Sequence, residues 1–350
     1  ALDTEALEAL VEAQGEENDT DTAGSELDSI AEEYEEIGEN EQGLRQENEW
    51  EDNQADSQTT NELAVSSSDV EYLEYRSNSD GTLIITGCDT SLTEVVIPGF
   101  IDGAEVTAIS YMAFQNNEAL AEVEIPDTVT SVGEDAFDGT ALLNSQSGVK
   151  YADTWLVSCD TDVTSAEIRE GTTGIADKAF SKCVSLTTVS IPDSVLYIGG
   201  AFPDCSSLTS VTIPDGVTEI DSATFIRCKS LASVTIPDGV TSIGSNAFAS
   251  CSSLAEITLP DSVTIIEDSA FLACDSFTTI TIPDNVTDIE ENAFKGCESL
   301  KSVVLGTSVV SIGERAFTDC SSLETITVCK GLQSIGDWAF HGTSLSTIYY

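Results

Sequence analysis

The chain has 350 residues, of which 63 are acidic and 12 basic, and carries a formal charge of −51 at pH 7. That balance excludes nucleic acid and anionic membrane surfaces as partners, because both require a Lys/Arg footprint. No apolar run approaches the length that spans a bilayer, so no membrane insertion by this chain is expected.

Residues 1–68 read as an acidic, disordered arm or linker. Residues 1–69 hold 23 of the 63 acidic residues and a single basic one, Arg45. Low hydrophobicity with high charge does not bury enough apolar surface to offset chain entropy. Leu2, Leu7, Leu10 and Val11 fall on one helical stripe, but a helix so short needs packing to persist. The sole Met is Met112 and the chain opens at Ala1 with no basic-then-apolar leader. We read that start as a processed or engineered terminus from which a signal peptide has been removed.

Residues 69–110 are expected to form an N-terminal β cap. Two apolar runs, 70–75 and 82–86, flank Ser77-Asn78-Ser79-Asp80-Gly81, the pattern of a hairpin. A solenoid has to shield its first coil, and this hairpin suits that task.

From 111 to 350 one phrase recurs. Phe248, Phe271, Phe294, Phe317 and Phe340 are each 23 residues apart, and the series runs back through Phe225, Phe202, Phe180, Phe137 and Phe114. One full copy occupies residues 231–253. A unit of this length does not bury its own apolar face, so the period predicts a repeat solenoid of α/β class, with about eleven coils and a short parallel β-sheet on one face. Leu231, Val234 and Ile236 are expected to point inward while Ser233 and Thr235 project outward. Pro237 ends the strand, Asp238-Gly239 make the turn, and Gly244 permits a bend. Residues 245–251 suit one helical turn, with Phe248 as the core plug. Two irregularities stand out: a loop at 100–104, and a surplus near 141–167 that holds a hairpin turning near Asp153. The chain stops inside the strand phrase of a further repeat without a distinct cap, which reads as truncation or a partner at that end.

The phrase Leu-x-x-Val-x-Ile-Pro-x-x-Val-x-x-Ile-Gly-x-x-Ala-Phe-x-x-Cys resembles the BspA-like leucine-rich-repeat family over residues 70–350. The resemblance implies a leucine-rich-repeat right-handed superhelix. It further implies a secreted or surface-displayed bacterial protein with an adhesive role toward host proteins, other cells or glycans. Gly306 and Cys329 at the Pro position and Thr224 at the Ala position depart from the phrase and put the local geometry there in question.

Cys183, Cys205, Cys228, Cys251, Cys274, Cys297 and Cys320 share one repeat position. That spacing fits no zinc motif, and stacked parallel Cβ vectors disfavour disulfides. Free buried thiols are expected. Asp127, Asp193, Asp215, Asp238, Asp261 and Asp284 follow the Pro position and are read as turn caps, not as a calcium site, since no dense carboxylate loop accompanies them. The only His is His341, nothing singles out a nucleophile or a carboxylate pair, and neither catalysis nor a cofactor is expected. Candidate binding residues are the outward strand positions Ser210, Thr212, Ser233, Thr235, Glu256, Thr258, Thr279 and Thr281. Tyr151 and Trp155 in the insertion join them, although packing on the adjacent coil is the reading that aromatic side chains favour there. The functional expectation is an adhesin-like, non-enzymatic protein that recognises host or microbial macromolecules, protein or glycan, through the solenoid surface. The alternatives are a glycan-binding module, or a stalk with no ligand on this chain.

Overall fold

The computed structural model describes residues 70–350; the arm expected over 1–68 lies outside them. The described residues form a β-solenoid of about 12 turns, each of about 23 residues. It opens on Leu73–Ser77 paired antiparallel with Leu83–Cys88, which in turn pairs parallel with Ala104–Ile109. The loop at 100–104 is a small hairpin, Phe100–Ile101 against Ala104–Ile109, turning through Asp102 and Gly103 at φ 49° and 85°.

Two parallel ladders run along the coils where the sequence announced one. The first carries the strand phrase. It comprises Glu94–Val96 with Glu122–Glu124, then Ser165–Glu167, Thr188–Ser190, Ser210–Thr212 and Ser233–Thr235, and finally Thr279–Thr281, Ser302–Val304, Thr325–Thr327 and Thr347–Tyr349. Its register joins equivalent residues of successive coils, for example Ser210↔Ser233 and Thr212↔Thr235. The second is built from two-residue strands after the turn. Glu219–Ile220, Ser242–Ile243, Ile265–Ile266, Asp288–Ile289, Ser311–Ile312 and Ser334–Ile335 form one unbroken six-stranded sheet. Between the ladders, Pro237-Asp238-Gly239-Val240 closes as a β-turn through Val240 N–H to Pro237 O at 3.2 Å, the conformation for which Pro and Asp-Gly are suited. The same bond forms where Pro is replaced, from Val309 to Gly306 (3.4 Å) and from Leu332 to Cys329 (3.3 Å). Both departures therefore leave the turn intact.

The third side corrects the α/β expectation. Among the described residues the only α-helix is Ala141–Asn144, N-capped by the Thr140 hydroxyl accepting from Leu143 N–H. The Ala-Phe segment is not a helical turn. Two residues four apart in it adopt left-handed φ: Asn246 (56°) and Ser250 (58°), then Ser269 (56°) and Ala273 (54°), then Arg315 (52°) and Asp319 (60°). Left-handed residues at this spacing block any continuous right-handed helix. The N–H groups turn to the neighbouring coil instead. Asn246 donates to Asp268 O at 3.0 Å, Phe248 to Ala270 O at 2.8 Å and Ser250 to Leu272 O at 2.7 Å. Gly244 also has a different task from the one read in the sequence. A Cβ there would lie 2.7 Å from Ser222 N of the preceding coil, so close approach of backbones, rather than a bend, demands glycine.

The core is a column of rings. From Phe180 to Phe340 adjacent Phe rings stack at 4.8–5.5 Å, and Phe114 stacks on Phe137 at 5.1 Å. The insertion separates the two columns. There Val149–Ala152 pairs antiparallel with Trp155–Cys159 around Asp153, and Trp155 stacks on Tyr197 at 6.1 Å.

Beside the rings run the thiols. Cys205, Cys228, Cys251, Cys274, Cys297 and Cys320 are fully buried, and each donates to the carbonyl of the Phe one coil back, Cys228 to Phe202 and Cys251 to Phe225 at 3.2 Å. Burial pushes the Cys228 and Cys251 thiols well up from their ordinary value. Cysteine here is a small core residue that also satisfies a carbonyl.

Two outcomes follow from this packing. Phe248→Ala, which leaves a void between two rings, should lower the free energy of unfolding in denaturant titration by about 3–5 kcal/mol; a loss below about 1 kcal/mol would show that the coils collapse to fill it. The raised thiols also set a pH dependence. The folded state keeps protons that the unfolded chain, with thiols near about 8.5, releases. Their stabilisation is therefore complete below that pH and declines as pH rises above it. The melting temperature should fall from about pH 8 to about pH 10, with a shallower slope in Cys228→Ala/Cys251→Ala.

Candidate functional surface

The strand face of the first ladder separates into two chemistries. Alternation points every second residue outward, and Ser210, Thr212, Ser233, Thr235, Thr279 and Thr281 are all exposed. Their hydroxyls make no side-chain hydrogen bond among the described residues, whereas a second set of Thr on the same solenoid is engaged. Thr187 Oγ1 donates to Thr164 O at 2.9 Å, Thr209 to Thr187 O at 3.2 Å, Thr241 to Thr218 O at 3.2 Å and Thr264 to Thr241 O at 3.2 Å. The two sets differ in backbone position, not in residue type. The engaged ones lie just outside the strands, within reach of the preceding coil's carbonyl.

Toward the N-terminal coils the same face turns acidic. Four of its six exposed outward residues there are carboxylates, Glu94, Glu122, Glu124 and Glu167, beside Val96 and Ser165, with Glu94 paired directly to Glu122 and Val96 to Glu124. Sequence reasoning passed over these carboxylates, although the strand phrases at 92–98 and 120–126 place Glu94, Glu122 and Glu124 by simple alternation.

Glu256 and Thr258 are exposed, but they do not continue the hydroxyl column. Residues 252–262 hold no strand, and the ladder lapses between Ser233–Thr235 and Thr279–Thr281. A single backbone bond, Thr278 N–H to Ala255 O at 3.2 Å, ties this coil to the next on that side. The following coil carries Phe277 where others have Leu, its ring tilted 52° against Phe271 at 5.7 Å. The larger plug coincides with the break.

Of the two insertion aromatics, one is removed from the candidates. Trp155 is 2% exposed, and a Cβ on Gly174 would come within 2.4 Å of its ring. It is a core residue because the glycine opens a slot for it in the adjacent strand. Tyr151 is half-buried. The Arg169 guanidinium lies 4.2 Å from its ring centroid, Arg169 N–H donates to its hydroxyl at 3.2 Å, and the guanidinium also reaches Asp153 O.

A shallow acidic groove lies along the second ladder, lined by Asp268, Asp288, Glu290, Glu291, Ser311 and Glu314. Burial raises the Glu290 carboxyl, reinforced by Glu267, Asp268 and Asp288. The Asp column after the Pro position is exposed throughout; Asp284 accepts from Thr307 N–H at 2.9 Å. Among the described residues no group of three or more His, Cys, Asp and Glu is placed to hold a metal ion, and no helix is long and apolar enough to cross a membrane.

Comparison with known proteins follows the repeat. The family described as BspA type leucine rich repeat region (6 copies) matches residues 87–200, 157–272 and 241–350. No curated protein matches. Among solved structures, a leucine-rich repeat protein from Bacteroides ovatus is 25% identical, with 78% of this chain and 91% of that one covered and a TM-score of 0.34. A T. pallidum leucine rich repeat protein is 23% identical, covering 73% and 89% at a TM-score of 0.34. A leucine rich cell surface protein from Faecalibacterium prausnitzii is 26% identical, covering 80% and 93% at a TM-score of 0.27.

The two sets of hydroxyls separate in a stability measurement. Thr241→Val, which removes a bond to Thr218 O, should cost about 0.5–1.5 kcal/mol. Thr235→Val should stay within about 0.5 kcal/mol of the parent in the same denaturant titration.

Proposed function

This chain belongs to the BspA-type leucine-rich-repeat family, and we propose that it is a non-enzymatic, secreted or cell-surface binding protein whose ligand docks on the strand face. The observation that carries this reading is the row of exposed hydroxyls at Ser210, Thr212, Ser233, Thr235, Thr279 and Thr281 with no partner among the described residues. Such groups are solvated at no cost to the fold and exchange water for a ligand without breaking anything internal. The parallel register repeats them at one spacing from coil to coil, which favours an extended macromolecule over a small one.

Charge narrows the ligand. Carboxylates at Glu94, Glu122, Glu124 and Glu167 occupy the same face, and the chain as a whole carries a net charge of −51. Polyanions are repelled, and a protein with Lys/Arg on its contact surface is drawn in. A neutral glycan is the second reading, favoured by the density of hydroxyls; Tyr151 with Arg169 is the aromatic-basic pair on which a sugar ring would rest. Trp338, under Arg315 at 4.7 Å, is a similar pair near the other end.

Surface plasmon resonance against a panel of extracellular-matrix proteins and oligosaccharides tests the proposal. Saturable binding to a matrix protein is expected, weakened at least about tenfold by Thr212→Arg/Thr235→Arg (a loss of about 1.4 kcal/mol) with the melting temperature unchanged. Binding that survives this variant places the ligand elsewhere. Competition by a soluble oligosaccharide selects the glycan reading, and no saturable binding to any member selects the stalk.

A further inference from the structure

The cysteine column has one member of a different kind at its head. Cys205 to Cys320 each bond a Phe carbonyl, but Cys183 Sγ reaches Asp160 O, at 3.8 Å. That oxygen is already approached by Cys159 Sγ at 3.5 Å. Two thiols that converge on one carbonyl oxygen are neighbours. The contact with Cys183, reinforced by burial, holds the Cys159 thiol above its ordinary value. The oxygen itself is fixed, because the Asp160 carboxylate is gripped by Lys150 at 2.7 Å and by Gly148 N–H at 2.7 Å.

Backbone direction distinguishes this pair from the rest of the column. Column members sit at one repeat position, so their Cβ vectors run parallel and oppose the torsion of roughly 90° that a disulfide requires. Cys159 instead ends the insertion strand Trp155–Cys159, and meets Cys183 from a strand rather than from the equivalent turn. Access differs too. Cys159 is 9% exposed, while Cys183 and the column beyond it are 0%, which gives a small reagent one point of entry.

We propose that Cys159 and Cys183 are a redox pair that closes to a disulfide by exchange with a low-molecular-weight disulfide. Cys159, the thiol with access, gives up its proton to solvent and attacks one sulfur of the reagent, so the step quickens as pH rises; a mixed disulfide forms and one small thiolate is expelled. The Cys183 thiolate then attacks the Cys159 sulfur, forming the internal bond and expelling the second small thiolate. Two protein thiols are oxidised, one small disulfide is reduced to two thiols, and the two protons released by the cysteines end on them. The bond staples the hairpin that carries Tyr151 to the regular coils. It would form where the surroundings are oxidising and open where they are reducing.

The full 350-residue protein, incubated with oxidised glutathione and then denatured for thiol titration, tests this. The count should fall from ten free thiols by two, and tandem mass spectrometry of the unreduced digest should find Cys159 joined to Cys183. Cys159→Ser should abolish the loss of two thiols; Cys88→Ser, at a half-buried thiol away from the pair, should retain it. An unchanged thiol count, a glutathione adduct that persists on Cys159, or a link mapped instead to Cys274 and Cys297 would each overturn the proposal. The mapped link in the parent protein and in Cys88→Ser decides the matter even if Cys159→Ser does not fold.

Discussion

No coil of this protein has an interior of its own. A Phe ring is covered only because the next coil places another ring 4.8–5.5 Å away, and the same holds for the Leu, Val and Ile around it. Stability is thus a sum of interfaces between neighbours, and the distance between coils is the quantity that everything else obeys. Backbone hydrogen bonds fix that distance on all three sides: the strand ladder, the two-residue ladder and the Ala-Phe turn, where Phe248 bonds Ala270 O at 2.8 Å.

Such close stacking explains residues whose role is not obvious from residue type. Gly244 is glycine because a coil passes within 2.7 Å of where its Cβ would be. The left-handed residues Asn246 and Ser250 turn N–H groups out of the coil toward the next one, at a conformational cost of about 1–2 kcal/mol each that the inter-coil bonds offset. Cys228 sits beside the ring column, where a small side chain with a weak donor meets the Phe202 carbonyl. In the coil just before the bulkier plug Phe277 the strand ladder lapses, while the six-stranded ladder continues unbroken.

Surface chemistry follows from the same frame. A face whose residues repeat at the coil spacing presents one functional group many times, so binding by such a surface depends on many weak contacts rather than on one deep pocket. Position within the coil decides which hydroxyls are available. Thr241 is tied to Thr218 O while Thr235, six residues earlier, is not. The carboxylates at Glu94, Glu122 and Glu124 give the face a direction along the solenoid, acidic at one end and hydroxylic beyond.

Periodicity made the solenoid, its inward residues and its outward hydroxyls legible, because burial on one side of a regular coil forces apolar residues into fixed positions. It also exposed the Pro-Asp-Gly turn, whose residues are selected by local conformation. Local sequence did not disclose that the Ala-Phe segment is left-handed at two points and not helical. That choice is set by bonds to residues about 22 positions away in sequence, such as Phe248 to Ala270. Nor did it show what receives Trp155, since the slot is made by Gly174 and Tyr197 on other strands, or that Cys159 and Cys183 share one oxygen. The sequence by itself determined the solenoid and which residues face inward or outward, because a repeated phrase that is apolar on one side is covered only by stacking coil on coil. Only the tertiary structure decided which hydroxyls, rings and thiols are free to act, because availability depends on what the neighbouring coil brings alongside.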